Sequence, residues 1–261
     1  MGILNLTNDS FYKGSRLGNN MEGIKSQAIK MLNEGTDILD LGAQSTRPGS
    51  NRMTTEEELD KLLPVIKMIK EIDPNAIISV DTYHSKTAEM SVLHGVSIVN
   101  DISGGEMDKN MIPTVAKLQV PYICMHMKGV PETMQNSTDY GDVAKEVLDF
   151  FISKIDECKK SGIHDVVIDP GFGFGKNIEQ NFLLLKNLSL FKMLDRPIMA
   201  GVSRKSTIYK TLKISAEESL NGTTVLNTIA LLNGASILRV HDVKEAKEAI
   251  DLVQAYRKSG G

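Results

Sequence analysis

The sequence predicts an α/β fold, a closed parallel (β/α)8 TIM barrel, with residues 1–261 forming one domain. Two observations carry this. Eight short runs rich in Ile and Val recur without polar alternation, as strands buried on both faces do. Segments of helical periodicity separate them, and about 260 residues suit eight such units. An open doubly wound sheet is the alternative that the same alternation allows.

The runs cover residues 1–4, 38–41, 76–80, 96–99, 120–125, 166–168, 197–200 and 236–240. Before the third, Thr55 and Glu58 have the spacing of a capping box, and Leu59, Leu62, Leu63, Ile66 and Ile69 follow at helical intervals. Pro64 inside that pattern predicts a kink. Val143, Val147, Phe150, Phe151 and Ile155 form a second apolar stripe. Ala246, Ile250 and Val253 form a third, behind Asp242 as its expected N-cap. Three connections are long, residues 7–20, 44–54 and 127–140, a size typical of functional lids or of disordered segments.

Composition excludes several classes. A net charge of -3 and the absence of Trp argue against a basic field or a stacking platform for nucleic acid. No stretch approaches ~20 apolar residues and no secretory leader pattern opens the chain, so a cytoplasmic protein without a membrane partner is expected. Cys124 in an apolar run and Cys158 late in a helical one read as free, buried thiols. No CxxC or HExxH spacing suggests a thiolate or zincin site.

The chemistry gathers where the runs end: Asn5, Asp40, Asp81, Asn100-Asp101, His126, Asp169, Ser203-Arg204-Lys205, and Arg239 with His241. In a barrel these positions converge on one face. Taken singly, Asp101 and Asp242 read as helix caps, and His84, His94 and His164 as surface residues. His126, between two methionines, fits a core histidine as well as a functional one. The Gly171-Phe172-Gly173-Phe174-Gly175-Lys176 run is neither a dinucleotide fingerprint nor a P-loop, because Lys176, Pro170 and Asn177 break those patterns. Its glycines suit a tight turn and close backbone approach. Arg47, Arg239 and His241 suit a phosphate cluster at a cationic rim. Asp81, Asn100 and Asp169 suit the N–H groups and ring nitrogens of a flat heterocycle on an acid-amide floor.

Eight segments in register then resemble the dihydropteroate synthase family. They are residues 1–7, Ser45-Thr46-Arg47-Pro48-Gly49, Ser79-Val80-Asp81-Thr82, Val99-Asn100-Asp101-Ile102, Met125-His126-Met127, residues 169–176, Ser203-Arg204-Lys205-Ser206, and Arg239-Val240-His241-Asp242. The resemblance implies condensation of 6-hydroxymethyl-7,8-dihydropterin diphosphate with p-aminobenzoate, giving dihydropteroate and diphosphate. It implies that Asp81, Asn100, Asp169 and Lys205 hold the pterin between apolar walls Ile102 and Met125. Asn5 would hold Mg²⁺ on the diphosphate, which Thr46, Arg47, Arg239 and His241 would bind. Pro48, Phe174, Lys205 and Ser206 would line the aminobenzoate pocket, where sulfonamides compete. Asp81, Asp169, Lys205, Arg239 and His241 would be the catalytic set, Asp9 and Phe11 would sit on a mobile first loop, and a homodimer through the later helices is expected.

Two departures stand out. Asn8 replaces the family's usual Pro, which frees the backbone there, and Gly42-Ala43-Gln44 stands where many relatives have Gly-Gly-Glu. The rival readings are a methyltetrahydrofolate-dependent corrinoid methyltransferase, which shares the acidic pterin pocket without a diphosphate subsite, and a non-catalytic pterin-binding relative.

Overall fold

A computed structural model describes residues 1–6, 20–44, 52–130 and 138–259. Its strands are β1 (Gly2–Asn5), β2 (Leu39–Gly42), β3 (Ile78–Asp81), β4 (Ile98–Asp101), β5 (Tyr122–Met125), β6 (Val166–Asp169), β7 (Met199–Ala200) and β8 (Ile237–Leu238). Strands β1 to β6 pair in parallel in sequence order, and β7 pairs with β8. Two bridges join the sheets: Ile168 to Ile198 links β6 to β7, and Gly2 to Val240 links the end of β8 back to β1. The predicted closed barrel is therefore present.

Most strands lie a residue or two later than the apolar runs. Backbone pairing continues through the polar ends, so Asn5 pairs with Gly42, Gly42 with Asp81 and Asp81 with Asn100. The functional residues thus sit on the barrel wall itself, where the ladder fixes their backbone.

The helices are α1 (Met21–Asn33), α2 (Thr55–Ile72), α3 (Ser85–Leu93), α4 (Met111–Leu118), α5 (Val143–Ser161), α6 (Ile178–Lys186), α7 (Ser206–Leu212), α8 (Leu220–Leu232) and α9 (Val243–Lys258). The expected stripes pack inward: Leu62, Ile66 and Ile69 on α2, Val147 and Phe151 on α5, Ala246 and Val253 on α9 are buried. Each large aliphatic side chain so buried contributes about 1.5–3 kcal/mol before conformational entropy is subtracted. Leu39, Leu41, Ile78 and Val80 are fully buried against this helical shell. Cys124 and Cys158 are free and buried, and no described helix is long and apolar enough to cross a membrane.

Several local expectations are corrected. The capping box is one residue earlier, with Thr54 as N-cap and Glu57 as its partner, because Glu58 is needed on the inward face. There it is fully buried and accepts from Thr82 Oγ1 at 2.9 Å. Asp242 does precede α9, but its side chain makes no cap bond; it is held in a bidentate pair with Arg204, both contacts at 2.8 Å. Asp101 is no helix cap either. It takes bonds from the Ser103 and Gly105 amides, the Ser103 hydroxyl and Tyr122 Oη, and so ties down the turn after β4. His94 and His164 are exposed, whereas His84 is half-buried at the start of α3.

Candidate active site

The strand ends meet as a layered cluster. Arg239, just past β8, bonds through Nε to Asp40 Oδ2 at 2.7 Å and through Nη2 to Asp81 Oδ2 at 2.6 Å. Asn100 Nδ2 donates to Asp40 Oδ2 at 3.2 Å. A side chain at Gly42 would meet Asn5 Oδ1 at 3.5 Å and Asp81 Oδ2 at 3.6 Å, so this glycine keeps open the space between those two groups. Gly201 does the same beside Lys205 Nζ and Arg239 Cβ. Residues from β1, β2, β3, β4 and the end of β8 thus share one floor.

The expected division into an acid floor and a cationic rim is corrected at Arg239. Barrel closure sets the end of β8 beside β1, so the guanidinium reaches β2 and β3 and lies within the floor. Its side chain is only 18% exposed, against 14% for Asp81 and 0% for Asp40. Burial pushes the Asp81 carboxyl up, to about 7, while Arg239 pulls the other way; at 2.6 Å from an arginine we take it as ionised. Asp40 is a site residue that the strand-end pattern marked but no role was assigned to. Its total burial beside a cation is visible only in three dimensions.

The second wall comes from the ends of β3 to β7. Tyr83, Ile102 and Met125 form a small apolar cluster apart from the main core, with Phe174, Met107 and Met127 packed against it. Ile102 and Met125 were the expected pterin walls, and the structure brings them together. Burial pushes the Asp169 carboxyl up, opposed chiefly by Lys205. Lys205 is pushed down to about 8 by burial, with Asp169 opposing. Its Nζ donates to Phe172 O and lies 4.9 Å from the centre of the Phe174 ring. Ser206 follows as the first residue of α7.

His241 bonds through Nδ1 to Ser203 Oγ at 3.0 Å, and Ser203 Oγ accepts the His241 amide at 3.2 Å. Burial and Arg239 hold this imidazole down at about 4, so it is neutral near pH 7. Arg204, the middle of its motif, turns away from the site. Besides Asp242 it donates to the Ala216 and Glu217 carbonyls, and its φ of 52° sets the turn that delivers Lys205. Thr46, Arg47, Pro48, Asp9 and Phe11 lie outside the described residues. Gln44, at the edge of that region, accepts the Met53 amide at 2.8 Å.

Lys176 was not among the expected site residues. It is 3% exposed, and its Nζ reaches His126 Nδ1, Gly171 O and Phe174 O, each at 3.0 Å. The signal was its place at the end of a glycine-rich run that no nucleotide motif explained. The glycines do bring backbones together: a Cβ on Gly171, φ +69°, would sit 1.9 Å from His126 O. Gly171→Ala should therefore cost about 3 kcal/mol or more in denaturant unfolding. Gly162→Ala, with φ +93° but open space around it, should cost about 1–2 kcal/mol; equal costs would show that the close approach does not matter.

His126 supplies a pH test. Burial, then Lys176, push it down to about 2. A base held below its unfolded value takes up a proton on unfolding, so its stabilising neutrality is complete above about pH 6.5 and is lost as pH falls below that. Relative to His126→Gln, the wild type should lose about 2 kcal/mol between pH 7 and pH 5. Parallel stability curves for the two proteins would refute a neutral buried His126.

The chain matches the pterin binding enzyme family model over residues 1–241. It is 40% identical to dihydropteroate synthase of Escherichia coli over 98% of this chain and 90% of that protein. It is equally similar to the folic acid synthesis protein fol1 of Schizosaccharomyces pombe, of which it spans only 36%. The structure superposes on Yersinia pestis dihydropteroate synthase, solved with a sulfonamide drug, at a TM-score of 0.94 with 36% identity, covering 99% of this chain and 93% of that one. On Xanthomonas albilineans dihydropteroate synthase with 4-aminobenzoic acid the TM-score is 0.89 at 34% identity, covering 98% and 92%. The chain belongs to the pterin binding enzyme family, among its dihydropteroate synthases.

Proposed function

We propose that this chain condenses 6-hydroxymethyl-7,8-dihydropterin diphosphate with p-aminobenzoate to give 7,8-dihydropteroate and diphosphate. One observation carries the reading: an acid-amide floor with an arginine set within it meets an apolar wall that carries Lys205. Asp81, Asn100 and Asp169 supply acceptors and an amide for the pterin edge, and Ile102 and Met125 cover its faces. Arg239 and His241 face the diphosphate, with Thr46 and Arg47 joining from their loop. Phe174, Lys205, Ser206 and Pro48 receive the aminobenzoate.

The reaction is dissociative. The methylene C–O bond breaks, the electron pair leaves with the diphosphate, and the pterin ring delocalises the resulting cation. The aminobenzoate nitrogen then donates its lone pair to that carbon and loses a proton. No side chain needs to be a nucleophile. Preorganised charge does the work: carboxylates favour the electron-poor ring and arginine favours the leaving group, at about 2–4 kcal/mol for each well-placed donor.

Mg²⁺ fits this site as a companion of the diphosphate. Among the described residues no group of three or more His, Cys, Asp or Glu is arranged to hold a metal. Asn5 Oδ1, beside the opening at Gly42, offers one hard oxygen, which suits an ion held mostly by phosphate oxygens and water. The bound ion would neutralise leaving-group charge.

Diphosphate release with both substrates and Mg²⁺ tests the proposal; no release would reject it. Calorimetry with methyltetrahydrofolate separates the methyltransferase reading, which requires tight binding of that ligand and none of the pterin diphosphate. The chain pairs with a second copy through its later helices: Phe182 and Leu183 on α6, Leu212 on α7, and Val225, Ile229 and Leu232 on α8 are exposed apolar residues. Sedimentation should show a dimer that Val225→Glu with Ile229→Glu dissociates.

A further inference from the structure

The loop between β6 and α6 carries the glycine-rich run that fits no phosphate-binding pattern. All three of its glycines have positive φ. Gly171 packs against the His126 carbonyl and Gly175 against the Lys128 carbonyl, where a Cβ would approach to 2.6 Å. The loop therefore lies backbone to backbone on the chain leaving β5. Lys176 closes it from beneath. An ammonium has three N–H groups, and neutral acceptors surround them: His126 Nδ1 and two carbonyls of the loop itself, Gly171 O and Phe174 O, each at 3.0 Å, with the His126 carbonyl farther off at 3.4 Å. Among the described residues no carboxylate bonds to it, so this lysine acts as a staple and not as half of an ion pair.

What the loop presents from that anchorage is specific. Phe172 O receives Lys205 Nζ, the Phe174 ring stands 4.9 Å from the same nitrogen, and Gly173 N is held by Asn181 Oδ1 at 2.7 Å. Lys176 contacts none of Asp40, Asp81, Asn100 or Arg239 through the bonds it makes. Within the proposed condensation, on which this step rests, we infer that Lys176 is a positioning residue for the amine-accepting half of the site: it fixes Phe174 and Lys205 through the loop and makes no bond of its own to the pterin floor, to which the loop is tied separately by the Gly171 amide on Asp169 Oδ1 at 2.8 Å. Burial holds its amine down at about 7, with the nearby Asp169 charge opposing.

Lys176→Met keeps the chain length and removes the donors. In steady-state assays with both substrates varied, the aminobenzoate KM should rise about tenfold or more while the pterin diphosphate KM stays within about threefold. Hydrogen exchange by mass spectrometry on residues 170–177 should show about tenfold or greater loss of protection in the same variant. Equal rises in both KM values, no rise in either, or unchanged exchange would overturn the inference. His126→Leu and His126→Gln keep it testable if Lys176→Met does not accumulate. Leu removes one acceptor and should raise the aminobenzoate KM about threefold, whereas Gln restores an acceptor and should return it to the wild-type value; identical KM values for the two would likewise overturn it. Absence of condensation in the wild type would reject the proposed reaction, while the exchange measurement would still decide whether Lys176 holds the loop.

Discussion

Arg239→Met is expected to lower kcat/KM by about 10³-fold or more, from lost leaving-group stabilisation and a disordered acid floor. The side chain bridges Asp40, fully buried, and Asp81, 14% exposed, at the barrel mouth. Removing it leaves two carboxylates close together in a poorly solvated site. One of them must then take a proton or admit water, and the pterin-facing charge pattern is lost. Leaving one buried charge uncompensated costs about 3–5 kcal/mol, so the variant should also unfold at lower denaturant. The two effects separate in the double variant Arg239→Met with Asp40→Asn, which removes the stranded charge without restoring the guanidinium. Stability should largely recover and activity should not. Recovery of both would make Arg239 a structural ion-pair partner only, and wild-type turnover in the single variant would remove it from the mechanism.

Much of this site could be read from the sequence because the barrel makes chemistry periodic. Each strand is a short apolar run, and the residue that ends it faces the common mouth. Asn5, Asp81, Asn100 and Asp169 are legible in that way, and the register lines up Asn5, Gly42, Asp81 and Asn100 at one level across β1 to β4. What could not be read depends on closure. That Arg239 enters the floor follows from β8 lying beside β1 through the Gly2 to Val240 bridge. The local pattern shows a cation after a strand and nothing about which acids it meets.

Helix-cap reasoning failed for the same reason at Glu58, Asp101 and Asp242. Each stands at a spacing suited to a cap, yet each is used elsewhere: Glu58 by Thr82, Asp242 by Arg204, and Asp101 by the Ser103 and Gly105 amides of the turn after β4 together with Tyr122. Local hydrogen bonding is the default for an acid near a helix start. A buried donor on another element outweighs it, because an unpaired donor there costs more than an uncapped amide facing water. Lys176 is the converse case. Its motif was conspicuous, but its three acceptors come from backbone carbonyls and an imidazole, which leave no trace in residue type.

Asp169→Asn should weaken binding of the pterin substrate by about 10³-fold, or about 4 kcal/mol, since a site built for a partner's N–H rejects the wrong pairing strongly. The wild-type carboxylate is 5% exposed and uses Oδ1 to accept the Gly171 amide at 2.8 Å. The asparagine can keep that bond with its oxygen, which turns its NH₂ toward the ring N–H groups and sets donor against donor. Loop anchorage should therefore survive while recognition does not, so protection of the 170–177 amides should match the wild type. Lys205 adds a second signature. Burial already holds it down at about 8, with Asp169 as its main support. Losing that negative charge pushes the amine lower still, so Lys205 gives up its proton at a lower pH. The alkaline limb of the pH–rate profile should accordingly move to lower pH. Calorimetry with the pterin diphosphate, followed by a pH series, checks both effects. Affinity within threefold of wild type and an unmoved alkaline limb would together show that Asp169 supports the loop and does not read the substrate.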